Sequence, residues 1–420
     1  MKIETKCLHE GWKPKNGEPH VLPIYQSTTF NYDSTEHVGD LFDLKAGGYF
    51  YTRLANPTVG FVEEKIAALE GGAGAMCTSS GQAANMLAVL NIADAGDHIV
   101  CASEVYGGTF NLFGVTMKKM GIECTFVDQN AADEEIERAF RKNTKLVFGE
   151  TIANPAIAVF DIERFADLAH KHGVPLIVDN TFATPILCRP FEFGADIVTH
   201  STSKYMDGHA VQLGGVIVDS GNFDWKNYAG LSEPDVSYHG VIYTEAFGKL
   251  AYITKARVQL MRDMGVSPTA NAAFLLNLGL ETLALRMERH TANAMAAAEF
   301  LAAQPEVEFV NYAGLHGNKY YKLAQKYLPN GASGVISFSL KAGRATAVKF
   351  MDSLTLASNV VHVATVKTCV LHPASSTHRQ LSDEQIAAAG ITPGMIRLSV
   401  GIENIEDIID DLKRGFAAIR

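Results

Sequence analysis

The chain has 420 residues, 47% of them hydrophobic and 20% charged, with a formal net charge of −10. That length can bury a sizeable core, and that composition excludes a disordered chain. The acidic balance, without any basic cluster interleaved with aromatics, argues against nucleic acid or an anionic membrane surface as partner. Six scattered cysteines (Cys7, Cys77, Cys101, Cys124, Cys188, Cys369) show no C-x-x-C spacing. They read as reduced thiols of a cytoplasmic protein, not as disulfides or metal ligands. The first twenty residues contain no apolar signal core, and no uncharged run reaches membrane-spanning length.

An arm rich in Pro, Gly and aromatics runs to about Pro57, and "VEEKIAALEGG" follows with helical spacing and a glycine stop. Short apolar strands then alternate with helical patterns. The strands are "GAMCTSS", "DHIVCAS", "IECTFVD", "KLVFGET", "VPLIVDN", "ADIVTHS" and "VQLGGVIVD". Near-continuous apolar runs are expected where helices cover both sheet faces, so the fold class is α/β with a mostly parallel central sheet. Residues from about 219 to 239 read as an irregular insertion. Long helical patterns follow, and the tail ("GVISFSLK", "MIRLSVGIE", "IEDIIDDLKRGFAAI") reads as a smaller C-terminal α+β domain.

In an open α/β sheet, ligands bind beyond the carboxyl ends of the strands. Those ends collect Ser79, Ser80, Gly81 and Gln82 in one turn, then Tyr106, Asn154, Asp179 and finally Lys204 of "HSTSKY". Singly, each has an ordinary reading: a helix cap, a packing aromatic, a turn carboxylate or a solvated lysine. "GGAG" (71–74) precedes its strand rather than following it, which removes a dinucleotide reading. Together the set matches the needs of pyridoxal phosphate. A lysine forms a Schiff base, an Asp keeps the pyridine nitrogen protonated, a ring stacks, and Ser/Gly donors at a helix N-terminus take the phosphate.

The motifs "LPIYQSTTF", "YFYTRLANPT", "TSSGQAA", "VYGGT", "ANP", "IVDNTFATP", "HSTSKY", "HPASSTH" and "IRLSVGIE" run nearly end to end. In this order they resemble the Cys/Met-metabolism branch of fold-type I pyridoxal-phosphate-dependent enzymes. The resemblance implies that Lys204 carries the cofactor as a Schiff base, that Asp179 pairs with the pyridine nitrogen, and that Tyr106 stacks on the ring and assists proton transfer. Ser80, Gly81, Gln82, Ser201 and Ser203 would bind the phosphate. Tyr51 and Arg53 would reach the phosphate of a neighbouring subunit, with Tyr51 also near the substrate. Asn154 would bond the phenolic oxygen and lie near the substrate, and Arg397 would fork the substrate carboxylate. No metal is implied.

Within the family, "LFDLKAGGYFYTRLANPT", "YGGTFNLF" and the 219–239 insertion are most like the O-acetylhomoserine sulfhydrylase branch. Gly108 stands where methionine γ-lyases carry a cysteine. Ser203 stands where a threonine is usual in the family, and His362 where a small polar residue often helps hold the carboxylate. The implied reaction is γ-replacement: O-acetyl-L-homoserine plus sulfide, or a thiol such as methanethiol, gives homocysteine or methionine and acetate. The alternative is γ-elimination to 2-oxobutyrate and ammonia. The expected organisation is a 1–60 arm contacting a neighbouring subunit, a 61–280 large domain and a 281–420 small domain, assembled as a dimer of dimers with shared active sites.

Overall fold

The computed structural model describes residues 1–376 and 391–420. The end of "HPASSTH", Thr377 and His378, lies outside the described residues. The first sheet comprises β1 (Gly74–Thr78), β2 (His98–Ala102), β3 (Glu123–Val127), β4 (Thr144–Glu150), β5 (Leu176–Asp179), β6 (Ile197–His200) and β7 (Gly215–Asp219). Their order is β1-β7-β6-β5-β4-β2-β3. All seven coincide with the apolar runs of the sequence. β2 to β6 are parallel, whereas β7 runs antiparallel to both β1 and β6. A parallel pair needs a long crossover; the chain between β6 and β7 instead turns back through residues 201–214 without a helix. That reversed connection carries Lys204.

The sheet is buried on both faces, and alternate residues of each strand serve different cores. Val100, Val147, Val178, Val198 and Val216 belong to one apolar cluster. Their neighbours Ile99, Phe148, Ile177, Ile197 and Ile217 belong to another. The Pro57–Glu70 helix starts at an Asn56 cap that accepts from the Thr58 N–H, with Pro57 at the first position, and stops at left-handed Gly71.

A second sheet joins β8 (Val307–Asn311), β9 (Val335–Leu340), β10 (Ser358–Asn359), β11 (Cys369–Leu371) and β12 (Met395–Ser399) in the order β10-β11-β12-β9-β8. Helices Leu283–Ala302 and Gly343–Asp352 pack on it, and Ile405–Ile419 packs on those two helices. The 219–239 insertion is more ordered than its composition suggests. It holds helical turns at Trp225–Asn227, Ala229–Ser232 and Val236–Tyr238. Trp225 stacks on Tyr252 at 5.0 Å and the Tyr228 hydroxyl donates to the Lys145 carbonyl at 2.6 Å. Buried aromatics anchor it to the sheet layer.

The arm divides in two. Its first helix, Ile3–His9, packs on this chain's own helices Pro57–Glu70, Ala270–Glu281 and Leu283–Ala302 through buried Cys7. Further on, Val21, Ile24, Tyr25, Tyr49 and Tyr51 are exposed. Among the described residues no helix is long and apolar enough to cross a membrane.

Phe148 in β4 is fully buried and meets Phe113 edge-on at 4.9 Å. Phe148→Ala is expected to cost about 3–5 kcal/mol and to lower the thermal unfolding midpoint, read by circular dichroism.

Candidate active site

The carboxyl edge of the first sheet is built around Asp179, the last residue of β5, which is 9% exposed. Its Oδ2 accepts from Asn85 Nδ2 at 3.2 Å; its Oδ1 accepts from the Thr181 N–H at 3.1 Å and the Thr181 hydroxyl at 2.5 Å. Thr181 has spent its proton on Asp179 and uses a lone pair to accept the Ser201 N–H at 2.9 Å. One threonine thus links the carboxylate to the turn that begins "STSK".

Ser201 lies directly against the N-terminus of the Gly81–Leu90 helix. A Cβ on Gly81 would sit 2.6 Å from Ser201 Cβ and 2.8 Å from its Cα, so only glycine permits this approach. Ser80 caps the helix by accepting the Ala83 N–H at 3.1 Å. Gln82 faces Thr109, whose hydroxyl donates to Gln82 Oε1 at 3.3 Å. Backbone donors, a positive dipole end and a serine hydroxyl therefore gather in one place, which suits a phosphate. Ser203 is engaged differently. Its hydroxyl donates to the Gly214 carbonyl at 3.3 Å and accepts the Gly214 N–H at 3.0 Å, closing the loop behind Lys204.

Lys204 is largely buried, and burial, then the nearby Arg397 charge, pull its pKa down to about 8. Its Nζ is 3.4 Å from His362 Nδ1. Arg397, on β12, donates to Asn154 Oδ1 at 3.3 Å and to the carbonyls of Val361 at 3.0 Å and His362 at 3.1 Å. Asn154 and Arg397 are thus brought together across the two sheets. Tyr106 is 48% exposed, and its backbone N–H donates to Glu150 Oε2 at 2.6 Å. Tyr51 and Arg53 stand apart. The Arg53 guanidinium lies 5.2 Å from the Tyr51 ring centroid and bonds the Arg262 carbonyl. Among the described residues no hydrogen bond joins either to Lys204, Asp179 or Ser201.

The sequence reading missed Asn85, Thr181, Thr199 and Glu150. Thr199 donates to Asn85 Oδ1 at 2.6 Å and fixes which way that amide points. Asn85 lies one helical turn after Gly81, and Thr181 lies two residues past Asp179, so each sat beside a residue already singled out. Glu150 ends β4 just after the apolar run Leu146–Phe148 and Gly149, in register with Asp179. Burial, then Asp179, raise its pKa well above the carboxylate range.

The arrangement fits pyridoxal phosphate. An anion cradle that only glycine can form adjoins a carboxylate held by three donors, and a lysine whose neutral form is favoured stands in the same loop. Comparison with known proteins agrees. The family model for "Cys/Met metabolism PLP-dependent enzyme" matches residues 4–417. The chain is 45% identical to the homocysteine/cysteine synthase of Saccharomyces cerevisiae, covering 99% of this chain and 98% of that one. It is 44% identical to the O-acetyl-L-homoserine sulfhydrylase of Leptospira meyeri, covering 100% and 97%. A crystal structure of a putative O-acetylhomoserine (thiol)-lyase from Campylobacter jejuni, containing N'-pyridoxyl-lysine-5'-monophosphate, superposes with a TM-score of 0.96 at 37% identity over 99% of this chain and 100% of that one. The fold and site are those of a pyridoxal-phosphate-dependent enzyme of fold type I. This chain belongs to the Cys/Met metabolism PLP-dependent enzymes, and pyridoxal phosphate is its cofactor.

Only the neutral amine of Lys204 can attack an aldehyde, and the neutral fraction grows as pH rises toward about 8. Capture of pyridoxal phosphate by the apoprotein is expected to accelerate about tenfold per pH unit below that value and to level off above it. Stopped-flow absorbance checks this; a rate still climbing steeply at pH 10 would contradict it.

Proposed function

We propose that this chain is an O-acetylhomoserine sulfhydrylase, replacing the γ-acetoxy group of O-acetyl-L-homoserine with sulfide or a small thiol. The observation that carries the reading is the joint presence of Lys204, Asp179 and Arg397 at one edge, in a chain 44–45% identical over its length to relatives so named. Bound pyridoxal phosphate supplies an electron sink conjugated to the substrate's α-nitrogen.

The chain's own groups do the rest. Lys204 would hold the cofactor covalently through its Nζ. Its freed Nζ, which loses its proton more readily than an ordinary lysine because burial and Arg397 lower its pKa to about 8, then takes the Cα proton and serves as the shuttle to Cβ. Asp179, steadied by Asn85 and Thr181, keeps negative charge beside the ring nitrogen. Gly81, Gln82 and Ser201 hold the phosphate, with Ser80 as the cap behind them and Ser203 closing the lysine loop. Tyr106 would stack on the cofactor ring and offer its hydroxyl to the departing acetate. Arg397 takes the α-carboxylate beside Asn154.

Tyr51 and Arg53 complete the phosphate site of a second copy, so the active sites are shared within a dimer, itself half of a tetramer. Their separation from this chain's own site, and the exposed apolar arm before them, support that reading. The working compartment is the cytoplasm, in keeping with six cysteines that all remain free.

Purified protein with O-acetyl-L-homoserine and sulfide should form homocysteine, while methionine alone should give little 2-oxobutyrate. Rapid 2-oxobutyrate from methionine would turn the assignment to a γ-lyase. Lys204→Ala should abolish turnover. Mixing inactive Lys204→Ala with inactive Arg53→Ala subunits, then unfolding and reassociating them, should restore up to about a quarter of wild-type activity, because half the sites of a mixed dimer then hold both native residues. Absence of any recovery in a reassembled mixture would contradict the shared site.

A further inference from the structure

Arg53 is an exposed side chain, yet its position is fixed at two points. Its Nη1 donates to the Arg262 carbonyl, and the carbonyl of its neighbour Leu54 accepts from Arg257 Nη1 at 2.9 Å. Both partners lie on one helical run, 251–264, which ends at left-handed Gly265. The last carbonyls of a helix have no partner within it, and that end carries partial negative charge, so a guanidinium is well suited to cap it. The cap uses only one nitrogen of the fork. Among the described residues Nε and Nη2 of Arg53 make no hydrogen bond, which leaves one edge of the guanidinium for a bidentate anion.

The end of that run is braced by the 219–239 insertion. A wide, π-type turn over Ala256–Met261 directs the Arg262 N–H to the carbonyls of Arg257 and Gln259, not to Val258. The Val258 carbonyl accepts from the Tyr238 hydroxyl at 2.7 Å. The same hydroxyl oxygen accepts from Arg262 Nη1 at 2.8 Å, and the Arg262 guanidinium lies 5.2 Å from the Tyr238 ring centroid. Asp235, three residues earlier, accepts from Gln259 of the same turn. Buried Tyr238 thus clasps two residues four apart on the run, and the second of them carries the carbonyl on which Arg53 rests.

We propose that Tyr238 is a positioning residue for the cofactor phosphate: it clasps the helix end on which Arg53 rests, so that Arg53 meets the phosphate of a second copy with its free edge already oriented. The inference rests on the shared phosphate site of the proposed function and goes beyond it by giving the insertion a part in cofactor binding. An unbraced arginine gives up its side-chain freedom when it binds. A held one has given it up on folding, so binding the phosphate costs less.

The test uses the full-length holoenzyme, dialysed against graded pyridoxal phosphate, with bound cofactor read by its absorbance. Pyridoxal, which has the ring and the aldehyde but no phosphate, is the control. Arg53→Ala is expected to raise the pyridoxal phosphate dissociation constant about tenfold or more, and that of pyridoxal less than about twofold. Tyr238→Phe, which keeps the ring and loses the hydroxyl, should raise the first about fivefold and leave the second within about twofold. In the Arg53→Ala background the same change should add less than about twofold, because it acts only through Arg53. The proposal is overturned if Tyr238→Phe leaves pyridoxal phosphate binding unchanged, weakens both ligands equally, or keeps its full effect without Arg53. The thermal midpoint verifies folding; should Tyr238→Phe not fold, Arg262→Met takes its place with the same expectations. If Arg53→Ala leaves pyridoxal phosphate binding unchanged, the shared phosphate site falls and this proposal with it. If Arg53→Ala weakens it and Tyr238→Phe does not, this proposal alone falls.

Discussion

Everything at this site depends on keeping a carboxylate, Asp179, in a nearly water-free position without a cation beside it. Among the described residues no lysine or arginine pairs with it; the Asn85 amide and two Thr181 donors do instead. Asn85 cannot turn away, because Thr199 donates to its Oδ1 and its Nδ2 also reaches the Thr109 hydroxyl at 3.3 Å. The helix after β1, the helix after β2, the loop after β5 and strand β6 itself thereby meet on one side chain. A paired arginine would have neutralised the carboxylate. Neutral donors hold the carboxylate in place without cancelling it.

The second constraint is the placement of Lys204, and the fold fixes it from both domains. Gly208 accepts the Val366 N–H at 2.8 Å and the Thr365 hydroxyl at 3.0 Å. Arg286, 5% exposed, donates to the carbonyls of Tyr205 at 2.6 Å, Met206 at 3.2 Å and Gly279 at 2.6 Å. The Tyr205 hydroxyl in turn accepts the Gly334 N–H at 3.1 Å. Gly208 has a positive φ of 72°, and a Cβ there would meet the Arg286 guanidinium at 2.2 Å. The turn after β6 is thus an inter-domain joint, and the lysine at its head inherits the joint's rigidity. Burying so many donors and carbonyls together is tolerable only because each finds the other.

Local pattern made the first sheet legible: all seven strands are short apolar runs, and strand ends are where ligands bind, so Lys204, Asp179, Asn154 and Tyr106 could be gathered before any coordinates. The reversal of β7 was not legible, because a strand's composition carries no direction. Nor were β10 and β11, which have two and three residues and owe their existence to partners across the second sheet. The insertion misled through its Gly, Asn, Ser and Asp content. Its order comes from Trp225, Tyr228 and Tyr238, whose partners lie elsewhere in the chain. Asn85 and Thr181 escaped for a related reason: as types they are ordinary helix and turn residues, and only the tertiary fold aims them at Asp179.

Glu150 shows how two acids can share one edge. It stands on β4 opposite Asp179 on β5, and no cation bonds it among the described residues. Two charges at neighbouring strand ends would repel strongly in this medium, and burial already penalises each. Burial, then Asp179, push the Glu150 carboxyl up, while its Oε2 accepts the Tyr106 N–H. A carboxyl in either charge state can anchor the Tyr106 backbone, since each offers an accepting oxygen. The shift in Glu150 lessens the negative charge set against Asp179 across the β4–β5 pair.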